Sequence, residues 1–577
     1  MLNIISKINW FIKRKWKTYL LVFILLIISG ILQVAPAYFL GVAVDLIISA
    51  KLDLRGLIYL IIVFVSIPII RYINGLLYNY LNNKMANELS YELKNNYLSH
   101  LFQMDLSFFE KYEKGDLLSR ITTDLEAIVA AATNLFDGLV FNVSLILFAI
   151  FQMGVNINLN LTLISITIMP IGISILSILR NKKRKYFETH RKIYANMTEK
   201  ILESIEGQKT IRAYNQEKNN LLAQQEAMQK DIVSWKYIVD FENWFSTLFD
   251  CIYAISYLLA IGFGIFYVIN AKITLGMLVT FVSYVGLLYG PILAIPAIFS
   301  QINNASISFD RYYEILNEKP LITNYLDSKN ILDFNEIEFK DVTFKYPFDK
   351  NAVLKDISFK IKKGETIGIV GPTGAGKSTL IRQLLREFNV TLGSILIDNI
   401  PIDQYVIKEV RNLVGYVPQS HILFKREVLE NIKIGKPYAS NLEMQKAIMI
   451  ADFKKDIDFL EKGINTMVGE FGSTLSGGQK QRLSIVRALV KNPEILILDD
   501  SLSAVDGKTE SNIIQMLDKF RKDKTNIIVS HRFSAVKDAH LILVLKDGKI
   551  IQKGTHEELL NQNGWYKDEY INQTMIT

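Results

Sequence analysis

"IGIVGPTGAGKST", residues 367 to 379, places an aliphatic run, a glycine-rich turn and the start of a helix-forming stretch in direct succession. The spacing G-x-x-x-x-G-K-[ST] is met by Gly371, Gly376, Lys377 and Ser378. Glycines let successive backbone N–H groups wrap phosphate oxygens, and the helix that follows adds the positive end of its dipole. In that geometry Lys377 reaches the β and γ phosphates of a nucleotide and Ser378 holds Mg2+. A strand before the turn and a helix after it argue against a chance match.

Outward from this loop, short aliphatic strands alternate with helical stretches from about Phe334 onward, the pattern of an α/β domain. One of these strands ends in acid: "ILILDDSLSAVD", residues 495 to 506, delivers Asp499 and Asp500 at its tip. One carboxylate suffices for magnesium, and Asp499 takes that role. Asp500 then occupies the place from which a carboxylate would orient an attacking water.

Upstream the composition is different. Spanning a bilayer takes about 20 mostly apolar residues per helix, and six such stretches are expected: about Tyr19 to Val44, Leu57 to Leu77, Leu135 to Val155, Leu159 to Leu179, Phe245 to Val268 and Leu275 to Phe299. The basic run before the first stretch, "KRKWK" at 13 to 17, has the flavour of a secretory leader. The apolar run is too long for a leader core, and more spans follow. Basic residues flank the fourth span ("NKKRK", 181 to 185, with Arg191 and Lys192), so both termini are expected on the cytoplasmic side. Two polar segments, about 81 to 130 and 181 to 240, carry the helices beyond the membrane, with bends expected at Gly115 and Gly207. Their tips are expected to dock beside Gln419 and residues 466 to 472.

The totals agree with a membrane part joined to a soluble one. The chain has 577 residues, 50% of them hydrophobic, and a mean hydropathy of +0.21. Its net charge of +8 clusters between apolar spans rather than on an aromatic-rich face, which excludes nucleic acid as the partner. A lone cysteine, Cys251, rules out an intramolecular disulfide.

"LSGGQ" (475 to 479) followed by "ILILDD" resembles the signature and second phosphate-site motifs of the ATP-binding cassette exporters, and the likeness covers essentially the whole chain. The resemblance implies six membrane helices (1 to 320), a linker (321 to 334) and one α/β P-loop nucleotide-binding domain (335 to 577). It implies ATP and Mg2+ as cofactors and the cell membrane as the location. Carried over position by position, Gly371, Thr373, Gly374, Gly376, Lys377, Ser378 and Thr379 surround the phosphates and Tyr346 in "FKYP" stacks on adenine. Ser378, Gln419 in "GYVPQ" and Asp499 serve the metal, and Asp500, His531 and Gln419 serve hydrolysis. Asp506 lies in the loop that crosses the interface of two cassettes, and the 466 to 472 segment meets the helix tips. Ser476, Gly478 and Gln479 act on the nucleotide of a second cassette, so a second half-transporter chain is implied.

Most active members carry glutamate where Asp500 stands. Aspartate is one methylene shorter, and nucleophile orientation is sensitive to about 1 Å. A weakened site is therefore expected, with the intact signature completing the competent site of a different chain, as in heterodimeric bacterial multidrug exporters. The alternatives are a homodimeric exporter of lipids or peptides and a nucleotide-gated regulatory membrane module. The expected substrate is an amphipathic small molecule taken from the lipid bilayer, with Asp250 in the fifth span a candidate contact for cationic lipophiles.

Overall fold

The computed structural model describes residues 2–576 other than Leu326 and Phe348. For some helical positions, among them 171–173, 175–184 and Phe471, only the backbone is described. The basic run at 181 to 184, much of the fourth expected span and the ring of Phe471 therefore lie outside the described residues. The chain forms two compact units: Met1–Leu101 with Gly115–Glu318, and Phe102–Lys114 with Lys319–Thr577. The second unit thus includes a short piece of the first cytoplasmic segment, which the expected boundary near 320 had left with the membrane part.

In the first unit, five stretches among the described residues are long and apolar enough to cross a membrane: Trp16–Ile48, Leu54–Leu101, Lys114–Pro170, Glu217–Ile269 and Leu275–Asn317. The third of them holds one expected span and the start of the next. Between the two, Asn158 is extended and accepts a hydrogen bond from the Leu161 amide at 3.0 Å, which starts a fresh helix. Leu54–Leu101 has 48 residues and Glu217–Ile269 has 53. At 1.5 Å per residue these reach about 70 and 80 Å, far beyond the ~30 Å hydrocarbon layer. The helices continue outside the membrane because their outer thirds are polar on most faces.

Close packing fixes the first helix against the last. A Cβ on Gly276 would come within 2.1 Å of the Gly41 carbonyl, so the backbones touch at a small-residue contact. Asp45 completes the join: Oδ1 accepts from the Gly276 amide at 2.7 Å and Oδ2 from the Thr274 hydroxyl at 2.6 Å. At the polar end, a π-helical turn at Arg120–Asp124 carries Arg120, whose guanidinium meets Asp116 at 2.8 Å and Glu314 at 2.8 Å. Arg311 pairs with Asp116 and, at 2.8 Å, with Asp124.

The two expected bends differ. Gly207 ends Ile168–Glu206 and starts the short helix Gln208–Ala213, so the chain does turn there. Gly115 lies inside the helix Lys114–Ser119, with open space where its Cβ would be. The first turn is made by residues 102–105 instead, where the extended Asp105 caps the helix Leu106–Lys111.

Among the described residues the second unit has ten strands: β1 (Glu336–Phe344), β2 (Leu354–Lys362), β3 (Thr366–Val370), β4 (Leu392–Ile397), β5 (Ile400–Pro401), β6 (Val414–Val417), β7 (Ile495–Asp499), β8 (Thr525–Val529), β9 (Leu541–Lys546) and β10 (Lys549–Gly554). One sheet runs β2-β1-β4-β5 with antiparallel neighbours. The other runs β10-β9-β3-β8-β7-β6, and every pair in it except β10/β9 is parallel. All five residues of β7 and of β8 are buried, which is why β7 reads as four aliphatic residues in succession before Asp499 and β8 ends in Ile527, Ile528 and Val529 without alternation. In β2, buried and exposed residues largely alternate, as in a sheet wet on one face.

Candidate functional site

Ligands of open α/β sheets bind beyond the carboxyl ends of the parallel strands. Those ends carry the residues singled out above. The loop 371–376 follows β3, Gln419 follows β6, Asp499 and Asp500 close β7, and His531 follows β8.

The phosphate loop is shaped by backbone constraints. A Cβ on Gly371 would lie 2.1 Å from the Leu545 carbonyl, so only glycine fits between the loop and β9. Gly376 is left-handed at φ 96° and caps the helix Lys377–Leu384. Lys377 is 7% exposed and its Nζ donates to the carbonyls of Gly371 at 2.8 Å and Pro372 at 3.0 Å. Burial lowers its pKa, against the pull of Asp500 and Asp499. Thr373 and Gly374 are exposed at the open side of the loop.

Asp499 is 2% exposed. Its Oδ1 accepts from the Ser378 hydroxyl at 3.0 Å and its Oδ2 from the Tyr416 hydroxyl at 3.2 Å. Burial raises its pKa, and those two hydrogen bonds oppose the rise. A buried carboxylate beside a hydroxyl is a hard oxygen set suited to Mg2+, a cation that takes few protein ligands and leaves the rest to water and phosphate. Gln419 is exposed and donates from Nε2 to Asp500 Oδ2 at 3.5 Å, so it stands beside the second aspartate rather than on Asp499. Asp500 is left-handed at φ 48°, and its amide donates to the Val529 carbonyl at 2.9 Å.

Tyr346 stands edge-on to Phe344 and Phe388 at centroid distances of 4.9 and 5.1 Å. Its hydroxyl is 3.0 Å from Thr379 Oγ1. His531 is exposed, and its carbonyl accepts from Gln573 Nε2 at 2.9 Å.

The "LSGGQ" residues form a separate cluster. Ser476 and Gln479 make a reciprocal capping box at the start of the helix Gly477–Leu489. Gln479 therefore supports the turn, and Gly477 and Gly478 present the bare helix start. A Cβ on either would approach Ala504 or Arg482 and no part of the phosphate loop. Asp506 caps Gly507–Phe520 through the Thr509 amide at 3.0 Å.

Three functional neighbours were missed in the sequence. Tyr416 pairs in register with Ile497, two residues before Asp499 and so on the same face. That signal becomes readable only once β6 and β7 are known to be neighbours. Gln481 binds the Ala504 amide at 3.0 Å, and Arg532 binds the carbonyls of Val505 and Ser503 at 3.0 and 2.9 Å. Together they tie the signature helix and the end of β8 to the loop 501–506.

Residues 19–292 match the profile of the ABC transporter transmembrane region and residues 354–503 that of the ABC transporter domain. A "Probable multidrug resistance ABC transporter ATP-binding/permease protein YheI" of Bacillus subtilis (strain 168) is 38% identical over 100% of this chain and 99% of its own length. The chain belongs to the ABC exporter family. The exporter is also 31% identical to the "Multidrug resistance-like ATP-binding protein MdlA" of Escherichia coli (strain K12), over 100% of this chain and 97% of that protein. Its fold is that of a bacterial Atm1-family ABC exporter with ATP bound, at a TM-score of 0.83 and 23% identity over 97% of this chain and 99% of the other. Like other ABC exporters it is an ATPase coupled to transport across a membrane.

Proposed function

We propose that this exporter moves amphipathic, multidrug-type compounds out across the cytoplasmic membrane as one half of a heterodimer in which its own phosphate loop turns over slowly. Both termini lie inside the cell, a placement supported by the basic residues about the fourth span. Multidrug-type cargo is supported by the names of the two relatives, both described as multidrug resistance or multidrug resistance-like proteins.

One observation carries the asymmetry: Asp500, at the end of β7, is a methylene shorter than glutamate, while the Ser476–Gly478 helix start is complete. Backbone amides of the loop 371–376 and the Lys377 ammonium hold the phosphates, Tyr346 receives the base, and Ser378 and Asp499 hold Mg2+. That ion would supply positive charge to neutralise the phosphate oxygens. Asp500 orients water poorly, Gln419 bears on Asp500, and His531 serves at the end of β8. Ser476 and the amides of Gly477 and Gly478 close over the phosphates of the partner chain, whose own carboxylate then does most of the turnover.

A second reading has one specific support. Left-handed backbone such as that of Asp500 suits aspartate better than most side chains. Aspartate would then be the natural occupant, and a homodimer would be active. The two separate cleanly in an ATPase measurement on the purified chain, alone and with its partner, each with and without Asp500→Asn. Weak activity alone, restored by the partner and little changed by Asp500→Asn, is expected. Strong activity alone that Asp500→Asn abolishes would overturn the proposal in favour of the homodimer.

A further inference from the structure

Arg382, one turn into the helix Lys377–Leu384, has a separate partner at each of its three nitrogens. Nε donates to Glu387 Oε2 at 2.6 Å, and Nη1 to the Tyr346 hydroxyl at 3.4 Å. Nη2 is 3.9 Å from Glu110 Oε1. The guanidinium lies over the Phe388 ring at 5.2 Å, the same ring that braces Tyr346. Arg382 thus stands between the base platform and Glu110 on the helix Leu106–Lys111.

That short helix is anchored on the same compact unit. Asp105 accepts hydrogen bonds from the amides of Leu321 and Ile322, and Leu106 packs on the same hydrophobic core as Tyr346. Glu110 of this helix and Tyr346 share Arg382 as a partner. Burial raises the pKa of Glu110, Arg382 opposes that, and Glu387 and Asp349 add to it. Its carboxylate therefore depends on where the guanidinium sits.

We infer that Arg382 is a positioning residue that aims the Tyr346 ring at the nucleotide base, and that Glu110 transmits the position of Arg382 to the helix Leu106–Lys111. The inference rests on Tyr346 being the base platform. A stacked base fixes the Tyr346 ring, the ring fixes Arg382 through its hydroxyl, and the planar guanidinium then holds Glu110. A lysine cannot serve three partners in one plane.

The test uses the full-length chain in lipid nanodiscs, with trinitrophenyl-ATP displaced by ATP or GTP, and hydrogen exchange of residues 102–114 with and without ATP. Arg382→Ala, Arg382→Lys and Tyr346→Phe are each expected to weaken ATP binding about fivefold, the scale of one lost hydrogen bond, and to narrow the gap between ATP and GTP. Tyr346→Phe keeps the ring and guards against a folding artefact in the Arg382 variants. Glu110→Gln is expected to keep ATP affinity within about twofold, since it leaves the Tyr346 hydrogen bond intact, and to abolish the ATP-induced protection of 102–114. If Tyr346→Ala weakens binding while Arg382→Ala and Tyr346→Phe do not, the positioning role is wrong and the base platform stands. If Tyr346→Ala binds ATP normally, the platform itself is wrong and the inference goes with it. Protection that persists in Glu110→Gln removes Glu110 from the relay.

Discussion

Two helix starts in the cassette, both proposed to meet phosphate, are finished to different degrees. The start of Lys377–Leu384 sits among its own accessories: a glycine loop fitted under β9, a lysine folded onto loop carbonyls, and Ser378 bonded to Asp499. The start of Gly477–Leu489 has a satisfied cap and a firm base but none of the phosphate loop beside it. On the proposed pairing, the first is a pocket and the second is a lid for a pocket on another chain.

The largest effect should come from damaging the lid. Gly478→Asp puts a carboxylate where the helix dipole is meant to meet phosphate, and its Cβ would stand 3.3 Å from the Ala504 carbonyl. The ATPase rate of the chain with its partner is expected to fall about a hundredfold, the scale of losing an anion-stabilising donor in a reaction. ATP binding at this chain's own loop should stay. Loss of that binding, with turnover kept, would erase the distinction between pocket and lid.

Damage to the pocket should matter less for turnover and more for binding. Lys377→Ala removes a charge-assisted contact to phosphate, so ATP affinity at this loop is expected to fall about tenfold. The ATPase of the pair should fall by less than in Gly478→Asp. Binding measured on the chain alone and turnover measured on the pair give the two numbers. A larger turnover loss in Lys377→Ala than in Gly478→Asp would reverse the comparison.

The lid also has a mechanical footing that can be tested by itself. Arg482, on the second turn of Gly477–Leu489, grips Asp456 through two bonds of 2.6 and 2.7 Å, and Asp456 is 8% exposed. Arg482→Ala strands that carboxylate in the interior, a change that costs about 3 kcal/mol. Thermal unfolding should register it, and unfolding followed by hydrogen exchange should place it first at 477–489. A loss spread evenly over β3 and the phosphate loop would show that pocket and lid are one mechanical body.

The pocket was far more legible in the sequence than the lid's supports. Lys377, Ser378 and Asp499 stand out because phosphate chemistry fixes both residue type and spacing, whereas Gln419 is read only from the family resemblance. The uninterrupted aliphatic strands were legible because a parallel sheet buried on both faces has no alternation to hide. Arg482–Asp456 and Gln481–Ala504 join residues far apart in the chain, and nothing local in either partner predicts the other. Gly115 misled for a related reason: glycine permits a bend but does not require one, and the turn was taken where Asp105 could cap a helix. The sequence reading docked the tips beside Gln419, whereas Glu110 faces Arg382, at the base-platform side of the cassette.

The smallest effect lies on the seam between pocket and lid. His421 follows Gln419 by two positions, and Arg487 of the signature helix donates Nη1 to the neighbouring Ile422 carbonyl at 3.0 Å. Neither ring nitrogen of His421 has a hydrogen-bond partner among the described residues. Burial, and then the Arg487 charge, push its pKa down from 6.5 to about 4. The folded protein therefore holds the ring neutral, while the unfolded chain takes up a proton near pH 6.5. Above that pH the two states bind equally and full stability is present; as pH falls from 6.5 toward 4, the unfolded state gains protons and stability drops. The ring is only partly buried, so the loss by pH 5 should be about 1 kcal/mol rather than the full linkage value. His421→Phe keeps the apolar fit and removes the proton, so its unfolding midpoint should decline less than the wild type's between pH 7 and pH 5. Equal declines would mean that acid does not enter at this seam, and that pocket and lid lose their register, if they do, somewhere other than beside Gln419.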